Sequence, residues 1–173
     1  MRYHRRMEYS TWYERVSRPF RSEGSTRVFK LLDRALVAGF VIAYVALLAW
    51  LAATGDARLA RAVLVPAATF MLANGLRMAL DKPRPYETHD IQPLLVKDTR
   101  GQSFPSRHMA SATVITCTLA WILPPLAVIG ALGCAGIAFV RIVGGVHYPR
   151  DIVAAFALGI ICAFIGFVGL PAV

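Results

Sequence analysis

The chain has 173 residues, 57% of them hydrophobic, and a formal net charge of +9. This length suits one domain. The hydrophobic residues form long uncharged runs between short charged stretches, a pattern typical of membrane proteins and not of soluble ones. Nine of the 19 basic residues lie in the first 34 positions, directly before the first hydrophobic run. A basic segment in that place favours anionic lipid headgroups as partners, and we expect no binding to nucleic acid.

The three cysteines, at positions 117, 134 and 162, all lie inside hydrophobic runs. Their spacing fits no metal-ligand motif, and their odd number argues against a disulfide framework. We therefore expect buried, inert thiols. The chain also offers no convincing cluster of carboxylates, so the sequence predicts neither a bound metal nor another cofactor.

Residues 1–34 form a basic, aromatic-rich segment that we expect to lie at the membrane surface. Tryptophan and tyrosine interspersed with arginine are typical of the headgroup level, and they predict an interfacial helix over residues 8–18. A membrane-embedded domain then covers residues 35–173. It begins with an uncharged run at 35–53 that is long enough to cross the hydrocarbon core, and a second helix follows at 59–80.

The remaining sequence predicts three further helices. Residues 81–107 are polar and proline-rich, too hydrophilic to cross a membrane, and are predicted to form a loop that caps the candidate site. The uncharged residues 108–140 are too many for one ordinary span, and Pro124 with Pro125 divides them into two helices. With a last span at 152–170, the sequence predicts an all-α integral membrane bundle of about five transmembrane helices plus the N-terminal interfacial helix.

Three polar windows interrupt the hydrophobic sequence, each at the end of a predicted helix. They cover residues 77–85, 104–108 and 141–151. The second helix ends on one face of the membrane, and the third and fourth helices form a hairpin that begins and ends on that face. All three windows therefore meet on the same side. Ionisable side chains are costly near hydrocarbon, so their concentration here indicates a functional site.

The third window carries residue types suited to phosphate chemistry. Asp151 follows His147 by four positions, so in a helical register its carboxylate can accept the Nδ1–H of the imidazole. Nε2 would then be free to attack or to take a proton. The guanidinium of Arg141 suits phosphoryl oxygens better than an ammonium would. Glycines at 144 and 145 allow a tight turn close to a ligand. These features predict a phosphate site at a membrane surface.

The three windows resemble, in order and spacing, the signature motifs of the type 2 phosphatidic acid phosphatase family. These lipid phosphate phosphatases are related to the vanadium haloperoxidases. The family's first motif is Lys, six residues, Arg-Pro, and it is matched by Arg77 and by Arg84-Pro85. Its second, Pro-Ser-Gly-His, is matched by residues 105–108 with arginine in place of glycine. Its third, Ser-Arg, five residues, His, three residues, Asp, is matched at 141–151, where a valine replaces the preceding serine.

The resemblance implies a metal-independent hydrolase that works through a phosphohistidine intermediate. His147 would be the nucleophile, Asp151 would hold its tautomer, and His108 would protonate the leaving oxygen and later activate water. The predicted phosphate-binding residues are Arg77, Arg84, Arg141, Ser106 and Arg107. Lys82 is a candidate contact to a second phosphate.

The implied substrate is a membrane lipid whose phosphate lies at the headgroup level. Small bacterial members of the family act on undecaprenyl diphosphate, phosphatidylglycerol phosphate, phosphatidic acid or related polyprenyl phosphates. The short chain favours a polyprenyl (di)phosphate such as undecaprenyl diphosphate. The alternatives are phosphatidic acid, phosphatidylglycerol phosphate and a polyprenyl-phosphosugar phosphate. A haloperoxidase and a non-catalytic lipid-binding or transport protein are the competing classes. Vanadate separates the first of these, because it inhibits a phosphatase and is required by a haloperoxidase.

The predicted location is the cell membrane, as a multi-pass protein of the bacterial plasma membrane. Because two spans precede the first motif, the N-terminus lies on the same side as the site. The positive-inside rule places that arginine-rich segment in the cytoplasm. Recycling of undecaprenyl diphosphate is expected on the outer face instead, so the two arguments conflict and both orientations stay open.

Overall fold

A computed structural model describes residues 2–96 and 99–169 of the chain. In this part of the chain all regular elements are helices, which confirms the predicted all-α bundle. Helix α1 (Arg2–Ser17) leads through a 3-10 turn (Arg18–Phe20) into the long helix α2 (Glu23–Ala53). The helices that follow are α3 (Leu59–Leu80), α4 (Pro85–Thr88), α5 (Arg107–Ile122), α6 (Leu126–Val143) and α7 (Pro149–Phe164), and a π-helical turn (Ile165–Gly169) extends α7.

Within the described residues, four helical segments are long and apolar enough to cross a bilayer: α2, α3 continued through α4, α6, and α7 with its π-helical turn. Helix α5 has 16 residues, or about 24 Å, whereas a hydrocarbon core is about 30 Å thick. It packs against α2, α3, α6 and α7. The predicted total of about five spans therefore depends on counting α5, a short central helix shielded by its neighbours.

Helix α2 begins 12 residues before the predicted span at 35–53, at Glu23. Ser22 caps it by accepting the backbone N–H of Ser25 at 3.3 Å, and Glu23 in the first turn suits the positive end of the helix dipole. Hydropathy finds only the part of a helix that meets lipid, so it missed this polar beginning. The boundary predicted between residues 34 and 35 consequently lies inside one continuous helix.

A proline inside α3 is compensated by a side chain from α2. Pro66 has no backbone N–H, so the carbonyl of Ala62 loses its partner within the helix. The Tyr44 hydroxyl donates to that carbonyl at 2.9 Å. An unsatisfied carbonyl in hydrocarbon is unfavourable, so this bond favours the contact between α2 and α3 at the depth of the proline.

Small residues allow α5 to pack closely against its neighbours. A side chain at Gly159 of α7 would lie 2.7 Å from Cβ of Thr113, and one at Gly130 of α6 would lie 2.6 Å from Cγ2 of Thr116. Close packing through glycines is a common way for membrane helices to associate without a hydrophobic driving force. These contacts hold α5 against α6 and α7, the two helices between which the third polar window lies.

Candidate active site

Backbone and side-chain hydrogen bonds join the three polar windows at one end of the bundle. Nη1 of Arg77 donates to the Pro105 carbonyl at 3.1 Å, which links the first window to the second. Nη1 of Arg84 donates to the Val146 carbonyl at 3.3 Å, which links the first to the third. The Ser106 amide donates to the Asp151 carbonyl at 3.1 Å. The windows therefore meet, as counting the spans predicts.

A cavity of about 400 Å³ opens where the windows meet. It is lined by Arg77, Arg84, Thr99, Arg100, Gln102, Arg107, His108 and His147. Four of these eight residues are arginines and none is a carboxylate. Such a concave, positively charged surface attracts an anion.

The two motif arginines of the first window are buried and oriented by main-chain carbonyls. Arg84 is 3% exposed, and its Nε donates to the Gly101 carbonyl at 3.0 Å in addition to the bond with Val146. Arg77 is 8% exposed. A guanidinium has five N–H donors in a rigid fork, so these bonds fix each side chain and leave donors for an oxyanion.

The segment after α3 forms a bonded wall of the cavity. The Glu87 carboxylate accepts the Arg84 amide at 2.6 Å and the Gly101 amide at 2.9 Å. The Ser103 amide donates to the Lys82 carbonyl at 2.8 Å. These bonds fold both ends of the predicted loop at 81–107 against each other. A lid role for it stays a prediction, and residues 97 and 98 lie outside the described part.

His147 lies in the turn between α6 and α7, and Asp151 is in the first turn of α7. Nδ1 of His147 is 3.7 Å from Oδ2 of Asp151, and both side chains are almost fully buried. The same Oδ2 accepts the backbone N–H of Tyr148 at 3.0 Å. The helix begins at Pro149, so His147 lies before its first turn and not within the helical register that the spacing of four predicts. The spacing of four nevertheless brings the imidazole and the carboxylate together, because Asp151 reaches back to cap the helix.

Ser103 is a buried residue of this site that the sequence motifs did not identify. Its hydroxyl donates to Oδ2 of Asp151 at 2.5 Å and lies 3.4 Å from Nδ1 of His147. Its proton is directed to the carboxylate, so its oxygen can accept the imidazole Nδ1–H. The hydroxyl therefore stands between the two. Its position two residues before Pro105 was the only signal in the sequence.

Burial lowers the pKa of His147 to about 4 from its ordinary value of 6.5, and the charges of Arg84 and Arg77 lower it further. The neighbouring Asp151 carboxylate acts in the opposite direction. The imidazole is therefore neutral at physiological pH. A neutral imidazole retains a lone pair, which a nucleophile requires.

The start of α5 lies against the same cavity. His108 is half-buried and Arg107 is exposed, and both line the cavity. Ser106 is fully buried at the N-cap position, and within the described residues its hydroxyl has no hydrogen-bond partner. The Arg107 guanidinium also lies 5.7 Å from the ring centre of Phe70. A helix N-terminus favours a bound anion through its free N–H groups and its dipole.

Two predicted phosphate contacts lie elsewhere. Arg141 is 2% exposed, and its Nη2 is 3.0 Å from Oδ1 of Asp33 on α2. Neither Arg141 nor the exposed Lys82 is among the described residues that line the cavity. Arg100 and Gln102 line it although no motif includes them. A binding role for Arg141 and Lys82 stays a prediction.

The described residues contain no group of three or more histidine, cysteine, aspartate or glutamate side chains able to hold a metal ion. Among the residues that line the cavity, the permanently charged side chains are those of the four arginines.

The fold and the motifs define the class of protein. The PAP2 superfamily, the type 2 phosphatidic acid phosphatases, matches residues 58–172, which is more than half of the chain. The chain belongs to this family, as the three windows predict. The family and the apolar helices together confirm a multi-pass membrane protein.

The chain is also similar in sequence to individual proteins of known activity. The lipid A 1-phosphatase of Rhizobium etli is 31% identical over 94 residues, which cover 51% of this chain and 40% of that protein. The lipid A 1-phosphatase of Rhizobium johnstonii is also 31% identical over 94 residues, or 51% of this chain and 38% of that protein. The chain thus spans only about two fifths of the length of the curated relatives it matches.

Two crystal structures share the fold over most of their length. Aquifex aeolicus LpxE has a TM-score of 0.72 and 25% identity, and the match covers 90% of this chain and 92% of that one. The PAP2 type phosphatidylglycerolphosphate phosphatase of Bacillus subtilis has a TM-score of 0.68 and 20% identity, with 92% and 84% covered. At the identity of the second, the likeness shows the fold alone.

Proposed function

We propose that this protein is a metal-independent membrane lipid phosphatase that forms a phosphohistidine intermediate on His147. One observation carries the proposal. A single cavity is lined by two histidines and by the two buried arginines of the first motif, and a buried carboxylate lies behind one of the histidines. These are the parts that phosphoryl transfer needs: a nucleophile, an acid, and fixed positive charge for the oxygens.

In the first step Nε2 of His147 attacks the phosphorus. A P–N bond forms, the P–O bond to the lipid breaks, and protonated His108 gives its proton to the leaving oxygen. The phosphorylated imidazole keeps its Nδ1–H and becomes positively charged. The nearby Asp151 carboxylate stabilises that charge.

In the second step water attacks the phosphohistidine. His108, now neutral, takes a proton from this water as the new P–O bond forms and the P–N bond breaks. Inorganic phosphate leaves, and both histidines return to their initial protonation states. The same group thus serves as acid and then as base, so the cycle needs no further co-reactant than water.

Ser103 has a positioning role in this scheme. Its hydroxyl bonds to Asp151 and has an oxygen near Nδ1 of His147. Such an arrangement keeps the proton on Nδ1 and the lone pair on Nε2. Nδ1 of His147 and Oδ2 of Asp151 are 3.7 Å apart, which is beyond ordinary hydrogen-bond length. The direct contact therefore holds the Nδ1–H tautomer only weakly, and the serine hydroxyl supports it.

Charge stabilisation would come from the arginines. Phosphoryl transfer places charge on three equatorial oxygens, and fixed donors in a buried site stabilise it without reorganising. Arg77 and Arg84 are the best oriented for this, because main-chain carbonyls hold them. Arg107 and the Ser106 hydroxyl are the predicted donors at the start of α5, and Arg141 is a more distant source of positive charge.

The substrate proposed first is a polyprenyl (di)phosphate, with phosphatidic acid, phosphatidylglycerol phosphate and a polyprenyl-phosphosugar phosphate as alternatives. A glycolipid phosphate is a second candidate, favoured by the 31% identity to two lipid A 1-phosphatases. All of these carry a phosphate at the headgroup level on an apolar anchor. The cavity lies at the ends of helices long enough to span a membrane, which suits that shared chemistry.

The test is phosphate release by detergent-purified protein with EDTA present. The panel holds undecaprenyl diphosphate, phosphatidic acid, phosphatidylglycerol phosphate, lipid A and a soluble diphosphate. We expect release that resists EDTA, with the preferred lipid identifying the substrate. Labelled substrate should leave acid-labile phosphate on the protein.

His147→Ala is assayed in parallel. It should abolish both phosphate release and labelling. Release that needs a divalent metal, or that persists in this variant at the wild-type rate, would exclude the phosphohistidine mechanism. Lipid binding without release by the folded wild-type protein would favour a binding role instead.

A further inference from the structure

The proposed nucleophile, His147, follows a turn that contains two glycines, Gly144 and Gly145. Gly145 has a φ of +76°, a conformation that favours glycine. A side chain there would lie 2.7 Å from the Tyr13 hydroxyl of α1. The Gly144 carbonyl accepts the Leu95 amide at 3.1 Å. The turn before His147 is therefore enclosed by α1 and by the 90–95 segment, although glycines alone would leave it flexible.

Tyr13 is fixed where it meets this turn. Its side chain is fully buried, and its hydroxyl accepts the Leu94 amide at 3.3 Å and lies 3.5 Å from the Gln92 carbonyl. Arg21 also joins this segment to the loop. Its Nη2 donates to the Gln92 carbonyl at 3.2 Å, and its Nε donates to the Ser17 hydroxyl at 3.1 Å. Polar bonds at several points thus hold the end of α1 on the loop.

Tyr9, one helical turn before Tyr13, contacts the other side of the nucleophile. Its ring centre is 5.3 Å from that of Tyr148 and 4.4 Å from that of His89. Tyr148 follows His147 directly, and its hydroxyl is 2.5 Å from that of Thr88. Two side chains on one face of α1 therefore lie beside residues on both sides of His147: Gly145, two positions before it, and Tyr148, directly after it.

We infer that α1 is a clamp that positions His147, with Tyr9 and Tyr13 as its positioning residues. The inference rests on the proposed function only for its activity readout. Helix α1 lies outside residues 58–172, which match the family, so the three motifs do not include this device. A misplacement of about 1 Å can cost about 100-fold in rate, and a turn built on glycines needs outside contacts to avoid it.

The variants separate the ring contacts from the hydroxyl contacts. Tyr9→Leu removes the ring beside Tyr148, whereas Tyr9→Phe keeps it. Among the described residues the Tyr9 hydroxyl has no hydrogen-bond partner, so Tyr9→Phe should retain wild-type activity. Tyr13→Phe keeps the ring but leaves the buried Leu94 amide without its acceptor. The matched control is Phe20→Leu.

Phe20 belongs to the same N-terminal segment, but its ring packs on Phe29 and Phe139, at 5.5 and 5.7 Å, and not on the turn. Each full-length variant is purified in detergent. The measurements are kcat and KM for the lipid of the panel above that the wild type hydrolyses fastest, the melting temperature, and hydrogen–deuterium exchange of the amides at 144–148.

Tyr9→Leu and Tyr13→Phe should lower kcat by about tenfold, a fraction of the about 100-fold cost of a 1 Å error, with KM changed by less than about threefold. They should also speed amide exchange at 144–148. Phe20→Leu should lower the melting temperature without either effect. Unchanged exchange in both tyrosine variants overturns the clamp whatever the activity. Faster exchange in the tyrosine variants, with no phosphate released from any lipid of the panel by any of the proteins, the wild type included, upholds the clamp and refutes the proposed function.

Discussion

The two ends of the helical bundle are built differently. At the cavity end, a long polar segment over 81–106 joins α3 to α5, and all the buried charged side chains of the described residues lie there: Arg77, Arg84, Arg141 and Asp151. At the opposite end the helices are joined by short turns. The ion pair there, between Asp56 and Arg58 at 2.6 Å, is partly exposed. Burying charge costs stability, so its confinement to one end indicates that function requires it.

The largest effect expected from this contrast is that of Asp151→Asn. The amide keeps the shape of the carboxylate but loses the charge that would stabilise the proposed phosphohistidine, and it can hold the wrong tautomer of His147. We expect phosphate release to fall by about 10³–10⁴-fold, as in other sites where a carboxylate orients a histidine. Asp56→Asn makes the same chemical change at the opposite end and should leave the rate within about twofold of the wild type. Equal losses in the two variants would remove the functional distinction between the ends.

Ser103→Ala should have the next largest effect. It leaves Oδ2 of Asp151 without its 2.5 Å donor, and a hydrogen bond to a charged group is worth about 1.5–3 kcal/mol. We expect kcat to fall by about 10–100-fold with KM little changed, measured by phosphate release. Ser103→Thr restores a hydroxyl and should recover part of the rate. A threonine variant as slow as the alanine variant would show that packing, and not the hydroxyl, matters there.

The protonation of His147 gives a smaller effect on stability. Its pKa is lowered to about 4 from 6.5, so the unfolded chain binds a proton at a higher pH than the folded protein does. The contribution of neutral His147 to the free energy of unfolding is therefore fully present above about pH 6.5. It is lost as the pH falls toward about 4. Nitrogen NMR of labelled histidine should show a neutral ring at pH 5.5. A ring protonated at that pH would mean that the site is open to water.

The smallest effect should come from Tyr44→Phe, which lies within the spans and away from the cavity. The variant leaves the Ala62 carbonyl without the donor that compensates for Pro66. Hydrogen bonds between membrane helices are worth about 0.6 kcal/mol on average and up to about 1.7. The melting temperature should fall slightly while kcat stays unchanged. A large loss of activity would instead show that packing in the membrane interior controls the cavity, and that the two ends of the bundle are not functionally separate.

The features predicted correctly from the sequence are those that a short stretch of residues determines. Hydropathy located the spans, and the spacing of His147 and Asp151 predicted their contact, because short-range periodicity decides both. The exact helix boundaries differ from the predicted ones, as at the start of α7 at Pro149, because turn and cap chemistry determines them. Helix α5 was harder to classify, since a short central helix and a spanning helix have the same composition.

Contacts between distant parts of the chain could not be predicted in this way. Asp33 and Arg141 meet because α2 packs beside α6, and no local pattern encodes that pairing. Ser103 turns toward Asp151 only because backbone bonds fold its loop back on the end of α3. Tyr13 of α1 reaches Gly145 through the same kind of tertiary contact. Each of these residues looks unremarkable within its own stretch of sequence, so only the folded chain reveals its role.

The bonds that join the three windows have a consequence for biosynthesis. Arg77 and Arg84, made early, are held by the carbonyls of Pro105 and Val146, which the ribosome adds later. Asp151 arrives only with α7, the last helix in the described part of the chain. A nascent chain that has inserted α2, α3, α5 and α6 therefore carries two complete motifs but lacks Asp151 of the proposed catalytic centre. On the proposed mechanism, phosphate release from membrane lipids therefore begins only after α7 has entered the bilayer.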